Sequence, residues 1–590
     1  MLTPAAPTLE AEIAVVGGGL GAVAAALAAA RRGRRVLLCS PTARLGGQAT
    51  TQLVPALDEF PLVETCGISR SYRAFREAVR ARYDGLANPG DGWVSRLCFE
   101  PAAAGHVIDE LLAPHLASGA LVVERGLRPH RAVRDGDRLA EVHFRAGEPA
   151  AGPGRPRGGE VAVRAEVFLD ATEAGDLLPL AGADWIAGSE GREAHDEPLA
   201  LPGGPHPGAV QSCTVGFVVE HLPDQDHTGP EPEGYAELRD SQPFTLEIAG
   251  WDDRVHRYRM FADGPDGHPP FWTYRRLRSG ALLGGRDVAL INWSGNDYAG
   301  TSSLDDPDGT YARAKHLSAA FLHWLRTECP RDDGSGRGYP GLRLRPDVAG
   351  TADGFAAEAY LRESRRLVTG RVIRQQDLTP VPGKARAAAV ADAAGLASYH
   401  MDLHARIGHS ASAYAPTAPF QVPLSALAAP RPGNLLAAAK NLGATQVAAA
   451  AYRVHHGEWA VGEAAGAFAA HCGARSRLPA QVLADRRELT RLQRALVADG
   501  IPLAWLLDLP VDDPVAGPAH LLAGAGGLTG TRESELAVRP SEPVPESERQ
   551  ALHATADLLV GRRLPGVTAQ PTWRAQVREL GRQLEAALEM

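Results

Sequence analysis

The chain has 590 residues, with 61 Lys and Arg against 70 Asp and Glu and a formal net charge of -9. That length exceeds one compact core, so two or three domains and a tail are expected. A hydrophobic share of 44% and a charged share of 22% are those of a folded soluble protein and exclude a disordered class. The dispersed basic residues exclude nucleic acid as a partner.

Six cysteines, Cys39, Cys66, Cys98, Cys213, Cys329 and Cys472, lie far apart. No Cys-x-x-Cys pair and no His spacing suits zinc, so no metal is expected and a reducing compartment, the cytoplasm, fits best. The apolar run Ile13 to Ala30 is broken by Gly17, Gly18 and Gly19 and is followed, not preceded, by Arg31 and Arg32. It therefore reads neither as an export signal nor as a membrane span, and no membrane partner is expected.

In chain order, a β-run at Ile13 to Val16 leads into Gly17-Gly18-Gly19-Leu20-Gly21-Ala22, then an alanine-rich helix, then a second β-run at Arg35 to Cys39. This is the opening βαβ unit of a doubly wound sheet with the spacing G-x-G-x-x-A. Gly17 allows the turn, Gly19 admits a pyrophosphate to the backbone, and Ala22 leaves room for helix against strand; the helix N-terminus favours the phosphate charge. The second strand ends in Ser40, where an acidic residue usually takes the ribose hydroxyls, so adenosine recognition leans on the serine hydroxyl, backbone groups or a neighbour.

Pro41 to Thr50 then supplies a second glycine pair, Gly46-Gly47, followed by Gln48. Short β-runs at Leu121 to Glu124 and Glu166 to Asp170 suit the same sheet. The latter empties into Ala171-Thr172-Glu173-Ala174-Gly175-Asp176, a loop expected to position a nucleotide through its backbone. From 185 to 345 the texture turns to Pro, Gly, aromatic and acidic residues, as in an inserted substrate domain. Helical periodicity returns at Ala356 to Arg371, a loop carries His400, His404 and His409, and Asn434 onward rejoins the first domain. Beyond Leu478 the chain reads as helices and loops, with amphipathic stretches at Ala480 to Asp499 and Thr572 to Leu588. Pro502 to Gly530 loosely resembles a surface-layer-homology module; a plain helical extension that caps the body or joins a homodimer is the simpler reading.

The glycine turn, the Gly46-Gly47-Gln48 segment with Arg44 and Thr50, Asp170-Ala171-Thr172-Glu173, Gly341 to Asp347, Arg362 to Arg366, and the late run Lys440-Asn441-Leu442-Gly443-Ala444-Thr445, Tyr452-Arg453-Val454-His455 and Gly462-Glu463-Ala464-Ala465-Gly466 resemble the FAD-dependent oxidoreductase family of the glutathione reductase structural class. The resemblance covers about residues 10 to 472. It implies FAD as cofactor, with Gly17, Gly19, Leu20, Gly21, Ala22, Ser40, Arg44, Gly46, Gly47, Gln48, Thr50, Asp170, Ala171, Gly443, Gly462 and Glu463 along it. A helix starting near Gly462 would offer N–H groups to the charge of a reduced flavin. Small residues for close packing explain Gly466 and Ala464 equally well. The chain departs from the family at Ser40, at Gln446 in place of His, and at His456-Gly457 in place of Pro.

The fold expected is therefore α/β, a doubly wound Rossmann-like FAD-binding domain (1–184 and 346–477) with an inserted α+β substrate domain (185–345) and a helical C-terminal appendage (478–590). Oxidation of a C–H or N–H bond needs a proton acceptor near the ring. His455 is the first choice, with Tyr452 beside it and Arg453 for an anionic or carbonyl group of a small-molecule substrate. His400, Asp402 and His404 alternate, which on a strand puts them on one side. With no second G-x-G-x-x-G, electrons should come from the substrate. A dehydrogenase or oxidase leads; a flavin monooxygenase and a non-catalytic binding protein on the same scaffold are the alternatives.

Overall fold

The computed structural model describes residues 7–147, 159–242, 244–249 and 254–589. Its main sheet begins with β1 (Thr8–Val16), whose last four residues are fully buried, as a strand covered on both faces requires. It leads through Gly17 to Gly19 into α1 (Leu20–Arg31) and then β2 (Val36–Ser40). After α2 (Arg70–Ala81) and α3 (Pro101–Ala117) come β3 (Leu121–Arg125), β4 (Leu127–Asp135), β5 (Arg138–Ala146) and β6 (Glu160–Asp170). The sheet order is β3-β2-β1-β6-β5-β4. Strands β3, β2, β1 and β6 run parallel, and β5 and β4 form an antiparallel hairpin at the edge.

A second cluster of buried residues gathers around an antiparallel sheet of β7 (Phe217–His221), β8 (Arg276–Arg278), β9 (Val288–Ile291) and, after helix α4 (Pro307–Thr327), β10 (Leu342–Leu344), in the order β8-β9-β7-β10. It is aromatic-rich: Phe321 stacks on Trp324 with centroids 5.7 Å apart, and Phe244 tilts against Phe321.

The helical period at Ala356 to Arg371 misleads. This stretch holds two-residue strands at Tyr360–Leu361 and Arg366–Leu367 and no helix. Its charged side chains bind partners on several elements, which an exposed helix face could not reach. Arg366 bonds Glu190, Glu363 and the Gly188 and Ala444 carbonyls, while Glu363 accepts the Gly188 and Gln211 N–H groups.

Strand β11 (Met401–Leu403) pairs with β12 (Ala413–Ala415), and β13 (Leu435–Ala437) returns to the main sheet, parallel to the last residues of β6. Then follow α5 (Gln446–Tyr452) and α6 (His455–Arg475). Helix α6 starts at His455, seven residues before the expected start. Val454 is already extended as its N-cap, so Gly462 lies inside the helix. A Cβ on Gly462 would stand 2.0 Å from the Gly21 carbonyl oxygen and one on Gly466 2.1 Å from that of Ala25. The glycines thus let α6 lie directly on α1, the packing reading of these small residues.

Helices α7 (Arg486–Ala498), α8 (Ala516–Gly524), α9 (Glu546–Val560) and α10 (Trp573–Glu589) bury their apolar faces in the same cluster as the main sheet. Asp485 interrupts the amphipathic stretch 480–499 by capping α7 through the Arg487 and Glu488 N–H groups. Among the described residues no helix is long and apolar enough to cross a membrane, and no group of three or more His, Cys, Asp or Glu is placed to hold a metal ion.

Candidate functional site

Val16 pairs with Cys39 on one side and Asp170 on the other, so the C-terminal ends of β1, β2 and β6 open at one edge. Gly17 turns there with φ +137°, and a Cβ on it would lie 2.0 Å from the Ala171 carbonyl oxygen, which only glycine avoids. Gly19 is the N-cap of α1 and brings no side chain to cap it, which leaves first-turn N–H groups for a ligand. The Gly46 N–H donates to the Gly18 carbonyl at 2.7 Å, drawing the second glycine pair against the first. Gly47, at φ +42°, lies so close that its Cβ would stand 3.0 Å from the Gly19 Cα.

Two carboxylates enter this seat. Glu458, in the first turn of α6, accepts the Gly21 N–H at 3.1 Å and the side-chain amide of Gln48. Glu173 pairs with the Lys440 ammonium, which also donates to the Leu361 carbonyl at 3.1 Å. A Cβ on Gly19 would stand 2.6 Å from Glu173 Oε1 and 2.7 Å from Glu458 Oε1. Burial, and after it the Glu173 charge, pushes the Glu458 carboxyl up to about 7. Asp170 holds the loop that delivers Glu173. It accepts from the Thr172 N–H and hydroxyl and from the Leu177 and Leu178 N–H groups at 2.7 to 3.2 Å, and burial raises its carboxyl to about 7.

Gln48 Oε1, both amide atoms of Gln52, and Glu173 Oε1 are buried without a hydrogen-bond partner. With the glycine cradle and the open helix start they fit a dinucleotide diphosphate, whose oxygens and hydroxyls can meet such groups. The two carboxylates end flexible side chains that can give way to it.

Several residues singled out from the sequence are engaged elsewhere. The Tyr452 hydroxyl donates to the Gln421 carbonyl at 2.6 Å, and His455 uses both ring nitrogens on backbone, Nδ1 accepting from the Asp58 N–H and Nε2 donating to the Val54 carbonyl. Burial lowers His455 to about 4; neither side chain has a free polar atom for a substrate. Glu463 faces α2, accepting the Ser71 hydroxyl at 2.6 Å. Gly443 packs on Thr369, and Arg44 reaches the Ala349 carbonyl beyond the second sheet. The Ser40 hydroxyl closes its own turn on Thr42, and Thr50 braces the glycine-pair loop through the Leu45 carbonyl.

Arg453 remains at the site. Gln48 donates to its carbonyl at 2.9 Å, and its guanidinium reaches the Tyr360 hydroxyl at 2.7 Å and Asp402 Oδ2 at 3.3 Å. His404 sits between two carboxylates, Nδ1 to Asp297 Oδ2 at 2.7 Å and Nε2 to Asp402 Oδ2 at 3.3 Å. Burial and Arg362 oppose its charge, but Asp402 and Asp297 prevail and raise it above the ordinary histidine value, while Asp297 is lowered to about 2. His400, Asp402 and His404 lie on the side of β11 away from buried Met401 and Leu403; His400 packs on Tyr414, centroids 4.9 Å apart. Asp58, Arg275, Asp297, Arg362 and Tyr399 complete the cluster. From the sequence, Asp58, Arg275, Asp297, Tyr399 and Glu458 have no role, Arg362 and Lys440 enter only within the family-like runs, and Glu173 is expected to act through its backbone; the one signal is charge set in apolar or aromatic surroundings.

The sequence profile described as FAD dependent oxidoreductase matches residues 12–496. No curated protein matches the chain. Among solved structures, a variant of the E. coli quinol fumarate reductase subunit FrdA is 13% identical, with 99% of this chain and 88% of that one covered and a TM-score of 0.29. OxyS anhydrotetracycline hydroxylase from Streptomyces rimosus is 13% identical, with 62% and 55% covered and a TM-score of 0.25. For L-proline dehydrogenase from P. horikoshii the values are 12%, 32%, 25% and 0.16. The chain thus spans about a quarter of the proline dehydrogenase and about half of the hydroxylase. With a parallel sheet, a glycine turn at its edge and a family match over most of its length, the chain belongs to the FAD dependent oxidoreductase family.

Proposed function

We propose that the protein is a dehydrogenase or oxidase that removes a hydride equivalent from a C–H bond of a small polar metabolite. FAD, when bound, accepts the two electrons. Gly17, Gly19, Gly46 and Gly47 would cradle its diphosphate, and Gln48 ties that cradle to the charged cluster. His404, in its neutral form, takes the substrate proton at Nε2, the nitrogen whose contact to Asp402 is the longer one. Asp297 orients the ring through Nδ1. Arg453 positions the substrate.

The observation that carries this reading is the single hydrogen bond from Gln48 to the Arg453 carbonyl, which sets an acid/base and cation cluster directly beside the glycine-pair loop. The test is anaerobic mixing of the FAD-loaded protein with a panel of sugars, amino acids, hydroxy acids and hydroxylated natural products, with and without NADPH. Bleaching of the flavin by a panel member alone is expected. Bleaching by NADPH alone, with no response to any panel member, would overturn the reading in favour of a monooxygenase.

A further inference from the structure

Three guanidiniums from three distant segments meet in the charged cluster, and each keeps its Nε without a hydrogen-bond partner: Arg275, Arg362 and Arg453. Their side chains are 11%, 3% and 4% exposed. Arg362 is well satisfied otherwise, by Asp297 at 2.9 Å, the Thr214 hydroxyl at 2.8 Å and the Ser212 carbonyl at 3.2 Å. Arg275 is not. Its ion pair to Asp58 is 3.5 Å long, and otherwise it lies over the Tyr274 ring, 5.1 Å from the centroid.

Arg275 is paired to Asp58, whose N–H donates to His455, two residues after Arg453, so the two arginines meet at the start of α6. The charges around it are also unequal. Against Asp58, Asp297 and Asp402 stand the three arginines and His404, whose two carboxylate neighbours favour the imidazolium. One positive charge is left over while His404 is protonated, and the charges balance in the neutral form that accepts the substrate proton. A buried cation without a good partner is costly, and a guanidinium fork matches a planar carboxylate.

We propose that Arg275 and Arg453 together seat a carboxylate of the substrate, so that the enzyme acts on a small organic monoanion. This rests on the reading of the cluster as the substrate side of a flavoenzyme. A surplus of at most one charge favours a carboxylate over a phosphate dianion.

The test uses FAD-loaded protein titrated with acetate and benzoate, with the matching acetamide and benzamide, and with inorganic phosphate, following the thermal midpoint and the flavin absorption bands. A carboxylate is expected to bind saturably and raise the midpoint, while the amides have no effect and phosphate binds more weakly. Arg275→Gln and Arg453→Gln should each weaken carboxylate binding about thirtyfold or more, and Arg286→Gln, an exposed arginine elsewhere, should leave it unchanged. Equal binding of amides and carboxylates, a preference for phosphate, no response to either carboxylate, or unchanged binding by a folded Arg275→Gln protein would overturn the proposal. The amide comparison needs only the unaltered protein, so it decides the matter even if the variants do not fold. Flavin content read on the same sample separates loss of this proposal from loss of the enzymatic reading, since the thermal response to carboxylates is measured whether or not FAD is retained.

Discussion

Glu458 Oε1 accepts a hydrogen bond from the Gly21 N–H at 3.1 Å, joining the first turns of two helices whose sequences lie 437 residues apart. The contact puts a titratable side chain of α6 where α1 offers its N–H groups to an anion. Cofactor binding and the charge of Glu458 are therefore linked.

That linkage predicts a pH dependence. The Glu458 carboxyl is raised to about 7 by burial and by Glu173, so below that pH it is neutral and above it adds a negative charge to the diphosphate seat. FAD binding then takes up a proton, and affinity should fall as pH rises, by up to about tenfold per pH unit above 7. Fluorescence titration of FAD-free protein at pH 6 and 8.5 measures this. Glu458→Gln should flatten the dependence; an equal slope in that variant would refute the linkage.

Along α6, the effect of adding a methyl group should depend on what the glycine faces. Gly462→Ala drives a Cβ into the Gly21 carbonyl, a backbone atom 2.0 Å away, whereas the nearest atom to a Cβ on Gly473 is 3.7 Å off. Urea unfolding should show a loss of about 2–3 kcal/mol for Gly462→Ala. Gly473→Ala should be neutral or stabilising by up to about 1 kcal/mol. Similar effects at both positions would contradict close packing of α1 on α6.

His404 should stabilise the fold most in acid. Its folded value is raised above 6.5, so its stabilising charge is fully present below 6.5 and is lost as pH rises through the folded value. His404→Gln should cost about 3 kcal/mol at pH 6 and about 1 kcal/mol at pH 9, read by denaturant unfolding. A cost that grows with pH would show that the ring is held neutral.

The glycine turn and the opening strands were legible because their causes are local: a β-run, a turn that only glycine takes, then a helix. The start of α6 was not, because Gly462 and Gly466 owe their size to the Gly21 and Ala25 carbonyls on a helix at the other end of the chain. The stretch 356–371 imitates a helix by period, yet Glu363 and Arg366 are held by residues near 188 and 211. Arg453 stands out in the sequence beside His455, but nothing local marks Arg275 or Arg362 for the same site; they come to it only in the folded chain, through Asp58 and Asp297. His455 and Tyr452 carried the right residue types, but backbone groups claim their polar atoms.

The most direct measurement is an equilibrium titration of FAD-free protein with FAD at pH 6.5, beside Gly19→Val. Gly19 has ordinary extended backbone, φ -73° and ψ -175°, so valine fits the turn's dihedrals, while its Cβ displaces the Glu173 and Glu458 carboxylates and fills the diphosphate seat. One FAD per chain bound by the unaltered protein, with binding at least about a hundredfold weaker in the variant, is the predicted result. Failure of the unaltered protein to bind FAD, or equal binding by Gly19→Val, would contradict the account.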